Sequence, residues 1–151
     1  MEATTLELRV PSELGNEKYA MDFAEDVALE MGFAREKIEN LKIAVAEACL
    51  NAIEHGNNLN RNMKVVIDFT IGPSQLEISV KDRGSGFVPV DIEKPDVGKK
   101  IDGSDPDSRG WGMYLIKNMV DELEYRDAAS GTHLRMVVKL PSDVGTAEER
   151  G

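Results

Sequence analysis

Hydrophobic and polar positions recur along the chain with two different spacings, which predict five strands and three helices. An alternation of period two, typical of strands with one buried face, occurs in five segments: 5–10, 64–71, 76–80, 122–126 and 132–140. Apolar residues three to four positions apart, typical of amphipathic helices, occur in three segments: about 16–31, 35–55 and 111–120. Strands with a single apolar face favour a mostly antiparallel or mixed sheet with its helices on one side. The pattern therefore predicts an α+β two-layer sandwich with about three helices on one face of the sheet.

The predicted elements form one domain, which we expect to span residues 4–140. The segment at about 88–109 is rich in Asp, Gly, Pro and Lys and has no clear period. A loop of this length inside a compact domain is usually a functional lid or a disordered segment, and we interpret it as a lid. Residues 141–151 are expected to form a polar tail.

Composition and charge restrict the classes of partner. The chain has 151 residues, with 18 Lys and Arg against 28 Asp and Glu, so its formal net charge is −10. An acidic surface repels the phosphate backbone, and aromatic residues make up only 5% of the chain, so direct nucleic-acid binding is not expected. A basic protein partner matches this charge better.

Other counts restrict the compartment and the redox chemistry. No apolar run approaches the roughly 18 residues that cross a bilayer, and Met1–Glu2 begins no recognisable signal peptide, so we expect a cytoplasmic protein without a membrane span. The single cysteine, Cys49, excludes a disulfide framework and a Cys-rich zinc site. Because Cys49 lies in an apolar run, we interpret it as a small buried hydrophobic residue.

The second predicted helix carries two polar residues that its apolar surroundings do not explain. Nine of the eleven residues from Ile43 to Ile53 are apolar or small, and the exceptions are Glu47 and Asn51. Residues four apart share one helix face, with Glu54 close to them and His55 on the flank. Such a stripe either bonds neighbouring backbone or faces a partner, a metal or a cleft. His55, at a helix end, is more often a capping or packing residue than a catalyst.

A second motif follows the third predicted strand, in the sequence Asp82-Arg83-Gly84-Ser85-Gly86-Phe87. Asp82 shares parity with the apolar residues of that strand, so its side chain is predicted to face the helices. A carboxylate in this position accepts a hydrogen bond from an amino group such as that of adenine. Gly84 and Gly86 would let the backbone approach a ligand closely. An ordinary acidic turn is the alternative interpretation.

A third motif, Arg109-Gly110-Trp111-Gly112-Met113, lies where the predicted lid meets the last helix. Gly110 and Gly112 would expose backbone N–H groups at a helix start, where phosphate is favoured, and Arg109 would add a charged contact. A flexible connection is the alternative, and Lys99 and Lys100 are more simply explained as solvated side chains.

The last predicted strand adds an inward hydroxyl. Thr132 has the inward parity of its strand, so it could meet Asp82 across the sheet. His133 and Arg135 have the outward parity and are predicted to be solvated.

In this order the three motifs resemble those of the GHKL (Bergerat-fold) ATPase superfamily. The matching segments are 47–56 for the N box, 82–87 for the first glycine box and 109–116 for the second. Within it the chain is most similar to anti-sigma-factor serine/threonine kinases, through Pro11-Ser12, the stretch 41–46 and Gly131-Thr132. Because little precedes the first predicted helix and no second domain follows, sensor histidine kinases and gyrase- or mismatch-repair-like ATPases are not expected.

The resemblance implies a role for each matching residue. Glu47 would orient or deprotonate the attacking hydroxyl, and Asn51 would coordinate Mg²⁺. Asp82 would bind the adenine amino group of ATP with the help of Thr132, and Arg109 would contact phosphate. The glycines that would shape the pocket and the lid are Gly84, Gly86, Gly110 and Gly112.

The resemblance also implies partners. The kinase would phosphorylate an anti-anti-sigma (antagonist) protein, sequester a sigma factor and form a homodimer. A switch kinase that acts on a stress-signalling scaffold is an alternative, as is a non-catalytic nucleotide-gated binding module. Glu47 and Asn51 argue against the module, because a protein freed from catalysis needs neither.

Overall fold

The computed structural model describes residues 3–83, 108–128 and 131–141, and these residues form an α+β fold as predicted. The helices are α1 (Glu17–Met31), α2 (Arg35–Asn51) and α3 (Ser108–Met119), and a π-helical segment (Ala52–Gly56) continues α2. The strands are β1 (Thr4–Pro11), β2 (Lys64–Ile71), β3 (Gln75–Lys81), β4 (Glu122–Ala128) and β5 (Gly131–Lys139).

The five strands form one sheet in the order β1-β2-β3-β5-β4. Every neighbouring pair of these described strands is antiparallel, so the sheet is not mixed. Both predicted hairpins, β2–β3 and β4–β5, are present. The insertion of β5 between β3 and β4 places the end of β3 beside the start of β5, where Lys81 pairs with His133. This neighbour relation brings the residue after β3, Asp82, next to Thr132.

The core lies between the sheet and the helices, where the apolar faces of both meet. Phe69 of β2 is fully buried and packs edge-on against Phe23 of α1, with ring centroids 4.8 Å apart. The apolar stripes are not buried along their whole length, however. Leu6 of the edge strand β1 is 39% exposed and Ile43 of α2 is 42% exposed. The helix that carries Glu47 is therefore less completely buried than its sequence predicts.

The end of α2 differs from the continuous helix that the periodicity predicts. The last turn is π-helical, and the N–H of Asn57 donates to the carbonyl of Ala52 at 2.8 Å, five residues back. A π-helix winds more residues into each turn than an α-helix does, and such turns are frequent at functional sites. Here the turn delivers Gly56 and Asn57 to the end of β3.

The start of α3 also differs from the prediction, because the helix begins at Ser108 and not at Trp111. The backbone of Arg109 and Gly110 therefore belongs to its first turn. Several sequence expectations lie outside the described residues: most of the predicted lid, the side chain of Arg109, and the residues Gly84, Gly86, Lys99 and Lys100. Nearly all of the predicted tail also lies outside them.

Candidate active site

A pocket between the helices and the sheet brings residues of all three motifs together. Its walls are mostly apolar and carry a carboxylate, an amide and a hydroxyl. The lining residues are Ala48, Asn51, Ala52, Val80, Asp82, Met113, Tyr125, Thr132 and Leu134.

The carboxylate of Asp82 is buried and bonded to Thr132 on both of its oxygens. The Thr132 hydroxyl donates to Oδ2 and the Thr132 N–H donates to Oδ1 at 3.3 Å, while the Asp82 N–H donates to the Thr132 carbonyl at 3.1 Å. These bonds extend the β3–β5 ladder by one residue, and they offset the cost of burying a carboxylate. The inward orientation predicted for both side chains is present.

Two glycines allow the chain to approach Asp82 more closely than any other residue would. A Cβ on Gly56 would overlap the Asp82 carboxylate, and a Cβ on Gly131, whose φ is +134°, would overlap the main chain of Asp82. In the sequence, Gly56 ends the 47–56 segment and Gly131 belongs to the Gly131-Thr132 match, and neither pattern predicts this packing role. The atoms that they approach belong to Asp82 and Arg83, which are distant from both glycines in sequence.

Glu47 and Asn51 lie together opposite Gly112 of α3. A Cβ on Gly112 would lie 2.9 Å from Glu47 Oε2 and 3.6 Å from Asn51 Nδ2. The Asn51 amide also points its nitrogen towards the Met113 sulfur, at 3.8 Å. The structure therefore joins the polar stripe of α2 to the glycine-containing start of α3, and the absence of a side chain at Gly112 lets α3 approach the Glu47 carboxylate closely.

The surroundings of Glu47 favour its protonated form. Burial raises the pKa of the Glu47 carboxyl, and the negative charge of Glu54 raises it further. This electrostatic effect agrees with the predicted proximity of Glu54. A carboxylate whose pKa is raised towards neutrality accepts a proton more readily than an ordinary one, as a general base must.

Cys49 has the environment that the sequence predicts for a buried hydrophobic residue. Its side chain is fully buried, and burial raises the pKa of the thiol to about 12. The thiol therefore stays protonated at physiological pH and is not a nucleophile of this site. His55 is partly buried within the π-helical segment.

The prediction of solvated surface positions was wrong for His133 and Arg135. Both lie on the outward face of the sheet, but each is only partly exposed. Burial lowers the pKa of His133, as do the charges of Lys81 and Arg126 on the flanking strands. Arg135 bonds Glu77 at 2.9 Å. Ion-paired side chains lie across this face of the sheet and cover their neighbours, which parity alone does not predict.

Asn57 is a residue of this site that the sequence analysis missed. It is buried, and its side-chain oxygen accepts the N–H of Arg83 at 2.9 Å, directly after Asp82. Only its position after Gly56, in what looks like an ordinary polar turn, could have drawn attention to it.

Among the described residues, no group of three or more His, Cys, Asp and Glu is arranged to hold a metal ion. No helix among them combines the length and the apolar character required to cross a bilayer.

Comparison with known proteins identifies the family of this chain. Residues 10–138 match the family described as histidine kinase-like ATPase domain. The serine-protein kinase RsbW of Bacillus subtilis is 35% identical over 109 residues, covering 70% of this chain and 68% of that protein. The serine-protein kinase RsbW of Halalkalibacterium halodurans is 32% identical over 143 residues, covering 92% of this chain and 85% of that protein.

Solved structures share the fold. The RsbU and RsbW domains of a Mycobacterium tuberculosis protein match with a TM-score of 0.64 at 18% identity, over 91% of this chain and 32% of that one. The histidine kinase domain of a blue-light activated histidine kinase from Erythrobacter litoralis matches with a TM-score of 0.52 at 18% identity, over 86% of this chain and 61% of that one. The resemblance inferred from the three motifs is thereby confirmed. The chain belongs to the histidine kinase-like ATPase domain family and, within it, to the ATP-binding serine-protein kinases.

Proposed function

We propose that this kinase transfers the γ-phosphoryl group of ATP to a serine or threonine hydroxyl of an antagonist protein, with Glu47 as the catalytic residue. The observation that carries the proposal is that Glu47 and Asn51 lie together opposite Gly112, where a Cβ would lie 2.9 Å from the Glu47 carboxylate. Any larger residue at this point of α3 would displace the carboxylate that must meet the substrate hydroxyl.

Catalysis of phosphoryl transfer depends mainly on positioning the reacting groups and stabilising the charge that develops on the phosphates. The hydroxyl oxygen bonds to the γ-phosphorus as the bond to the β–γ bridging oxygen breaks; the proton passes to Glu47 and ADP leaves. A positioned general base contributes typically about 10²- to 10⁴-fold to such a rate. The raised pKa of Glu47 supports this role.

Asp82 is proposed to recognise adenine. Its carboxylate would accept the adenine amino group, and the two bonds from Thr132 would hold it in place. By family resemblance, Arg109 would contact the terminal phosphate. Gly84, Gly86, Gly110 and Gly112 would let the backbone of the pocket and the lid approach the nucleotide.

The residues present fit a magnesium ion bound together with ATP. Mg²⁺ prefers hard oxygen ligands and keeps several waters, so one amide oxygen, from Asn51, together with phosphate oxygens is a sufficient set. The described residues hold no acidic cluster that would bind the ion without nucleotide. When bound, Mg²⁺ would neutralise charge that develops on the phosphates.

The proposed partners follow from the family resemblance and from the charge. The substrate would be an anti-anti-sigma protein, and a sigma factor would be sequestered by a homodimer of the kinase. The net charge of −10 supports attraction to a basic protein and disfavours direct contact with nucleic acid. With such partners the kinase would act in the cytoplasm.

The kinase assay uses γ-labelled ATP, Mg²⁺ and the candidate antagonist protein encoded beside this chain. The unsubstituted protein is expected to label the antagonist, and Glu47→Gln to lower the rate at least about 100-fold with little change in ATP affinity. Glu30→Gln, at an exposed position of α1, is the control and should retain the full rate. If the unsubstituted protein binds ATP but transfers no label, the kinase proposal is wrong and a nucleotide-gated module is favoured.

Sigma binding needs a separate test. Immobilised kinase with ATP and Mg²⁺ is expected to retain one purified sigma factor of the same cell. Failure to retain any of them, together with phosphorylation of a scaffold protein, would favour the switch kinase. Sedimentation of the isolated kinase tests the homodimer.

A further inference from the structure

Asn57 lies at the junction of four chain segments that surround the end of β3. Its side-chain nitrogen donates to the Ser12 hydroxyl at 2.8 Å and to the Lys64 carbonyl at 3.3 Å, and its oxygen accepts the Arg83 N–H at 2.9 Å. The amide thereby links the segment after the π-helical turn to the end of β1, the start of β2 and the residue that follows Asp82.

These partners determine the orientation of the amide. The Arg83 N–H can only donate and therefore requires the Asn57 oxygen, whereas the Lys64 carbonyl can only accept and therefore requires the nitrogen. Ser12 completes the set, because its hydroxyl donates to the Met63 carbonyl at 2.7 Å while accepting from Asn57. A buried network in which every group is bonded favours a single arrangement.

The same region holds nearly all the buried polar side chains. Within the described residues five polar side chains are buried, and four of them belong either to this network or to the Asp82–Thr132 pair. The five residues are Ser12, Asn57, Ser79, Asp82 and Thr132. Burial of polar groups is costly unless they are bonded, so this concentration beside the pocket needs an explanation beyond chain packing.

The bond to Arg83 acts on the backbone of Asp82. The nitrogen of Arg83 defines the ψ angle of Asp82, so holding that N–H also holds the direction in which Asp82 presents its side chain. Regular pairing supports β3 only as far as Lys81, which pairs with Val66 on one side and His133 on the other. Beyond Lys81, Thr132 of β5 accepts the Asp82 N–H. Asn57 accepts the N–H of the following residue, Arg83.

We infer that Asn57, oriented by Ser12, is a positioning residue that aims the Asp82 carboxylate and thereby sets the preference for adenine nucleotides. This inference rests on the proposed adenine role of Asp82. ATP offers an amino group to the carboxylate, whereas inosine triphosphate (ITP) offers an oxygen that only accepts. The ratio of ATP to ITP affinity therefore reports the aim of Asp82, and a general loss of stability would not change it selectively.

The test measures ATP and ITP dissociation constants by calorimetry for the full chain and for Asn57→Leu, a substitution of similar size. The original protein is expected to prefer ATP at least about tenfold, the range for a hydrogen bond to a charged group. Asn57→Leu should weaken ATP binding about tenfold and leave ITP affinity within about twofold, which removes the preference. Asn16→Leu is the matched control, because the Asn16 amide bonds the Pro11 carbonyl at 2.8 Å near the same strand end without reaching Arg83.

Asp82→Asn separates failure of the inference from failure of the adenine proposal. If Asp82→Asn abolishes the preference while Asn57→Leu retains it, the role of Asn57 is refuted and that of Asp82 stands. If Asp82→Asn retains the preference, both roles are refuted. Should Asn57→Leu not fold, Asn57→Ala decides: it removes the same bond to the Arg83 N–H without placing a larger apolar side chain there, and an ATP preference equal to that of the original protein would overturn the inference.

Discussion

Glu47 is half-buried near a second carboxylate, Glu54, and both conditions oppose its ionisation. A kinase that needs the ionised form therefore holds Glu47 in a state that the fold disfavours. The neutral form stabilises the protein below the unfolded pKa, and this advantage is lost as the pH rises through the higher folded pKa. At neutral pH the Glu47 carboxylate costs stability, as is common for functional residues, and this agrees with the catalytic role proposed for it.

Replacement of Glu47 by Gln should therefore stabilise the protein while it abolishes catalysis. We expect a higher free energy of unfolding than that of the unsubstituted protein at pH of about 8, by less than about 1 kcal/mol because the site is partly solvated. The difference should disappear below pH of about 4, where glutamate is protonated in both states. Urea unfolding at the two pH values measures it, and a Gln variant less stable than the parent at the higher pH would contradict the prediction.

The exposed carboxylate of Glu54 raises the pKa of Glu47. It is exposed, so Glu54→Gln should fold normally while it removes the charge that raises the pKa of Glu47. The acid limb of the pH–rate profile reports the pKa of the essential base, so the limb should move to lower pH in the variant. An unchanged limb would mean that another group is the base that the profile reports.

Helix α3 approaches the side chain of Glu47 in α2 at Gly112, a residue that has no side chain. Alanine favours a helix interior over glycine by about 1 kcal/mol, so Gly112→Ala should fold as well as the original protein. Its Cβ would lie 2.9 Å from Glu47 Oε2 and would displace the end of that flexible side chain. We expect the phosphoryl-transfer rate to fall by about 10- to 100-fold, the scale for a misplaced catalytic group.

The control for Gly112→Ala is Lys117→Ala, at an exposed position of the same helix. Thermal unfolding and the labelling assay, run side by side, distinguish lost geometry from lost folding. If Gly112→Ala retains the full rate with Glu47 in place, the space above Glu47 is not where the substrates meet.

The π-helical winding of Ala52–Gly56 determines which residues at the end of α2 face the sheet. An α-helix continued through the same residues would bring different side chains to the sheet, since a π-helix turns less for each residue. The observed winding places Gly56 against the Asp82 carboxylate and Asn57 within reach of Arg83. Periodicity predicts a helix there, but it does not distinguish the two windings.

At the scale of the molecule, Asp121 joins the helix layer to the sheet. Its carboxylate pairs with Lys37 of α2 at 2.9 Å and accepts the backbone N–H of Lys139 in β5 at 2.6 Å. Burial by itself would raise the pKa of Asp121, but the bonds to Lys37 and Lys139 outweigh it and lower the pKa. The stability that Asp121 contributes is therefore present above its unfolded pKa and is lost as the pH falls through the lower folded pKa.

We accordingly expect Asp121→Asn to destabilise the protein at neutral pH by less than about 1 kcal/mol, because the pair is largely solvated. The difference from the original protein should shrink towards zero in strong acid. Asp22→Asn, at an exposed position of α1, is the comparison and should change little at either pH. Urea midpoints across the acid range measure the effect, and a constant difference at all pH values would contradict the ionic explanation.

Several residues of the candidate site were predictable because they are polar where the surrounding pattern is apolar. Glu47 and Asn51 interrupt an apolar helix face, and the parity of Asp82 and Thr132 predicts that both point to the helices. The roles of Gly56 and Asn57 were not predictable in the same way. Their roles depend on the atoms that they approach, which belong to Asp82 and Arg83, directly after β3 and more than twenty residues away along the chain.

The sequence by itself determined the class of the fold and the family. Hydrophobic spacing encodes which face of each helix or strand is buried, and the three motifs in their order identify the family. Only the tertiary structure decided the order of the strands, the π-helical winding and the buried amide network. These depend on contacts between distant segments, whose free energies no local pattern records.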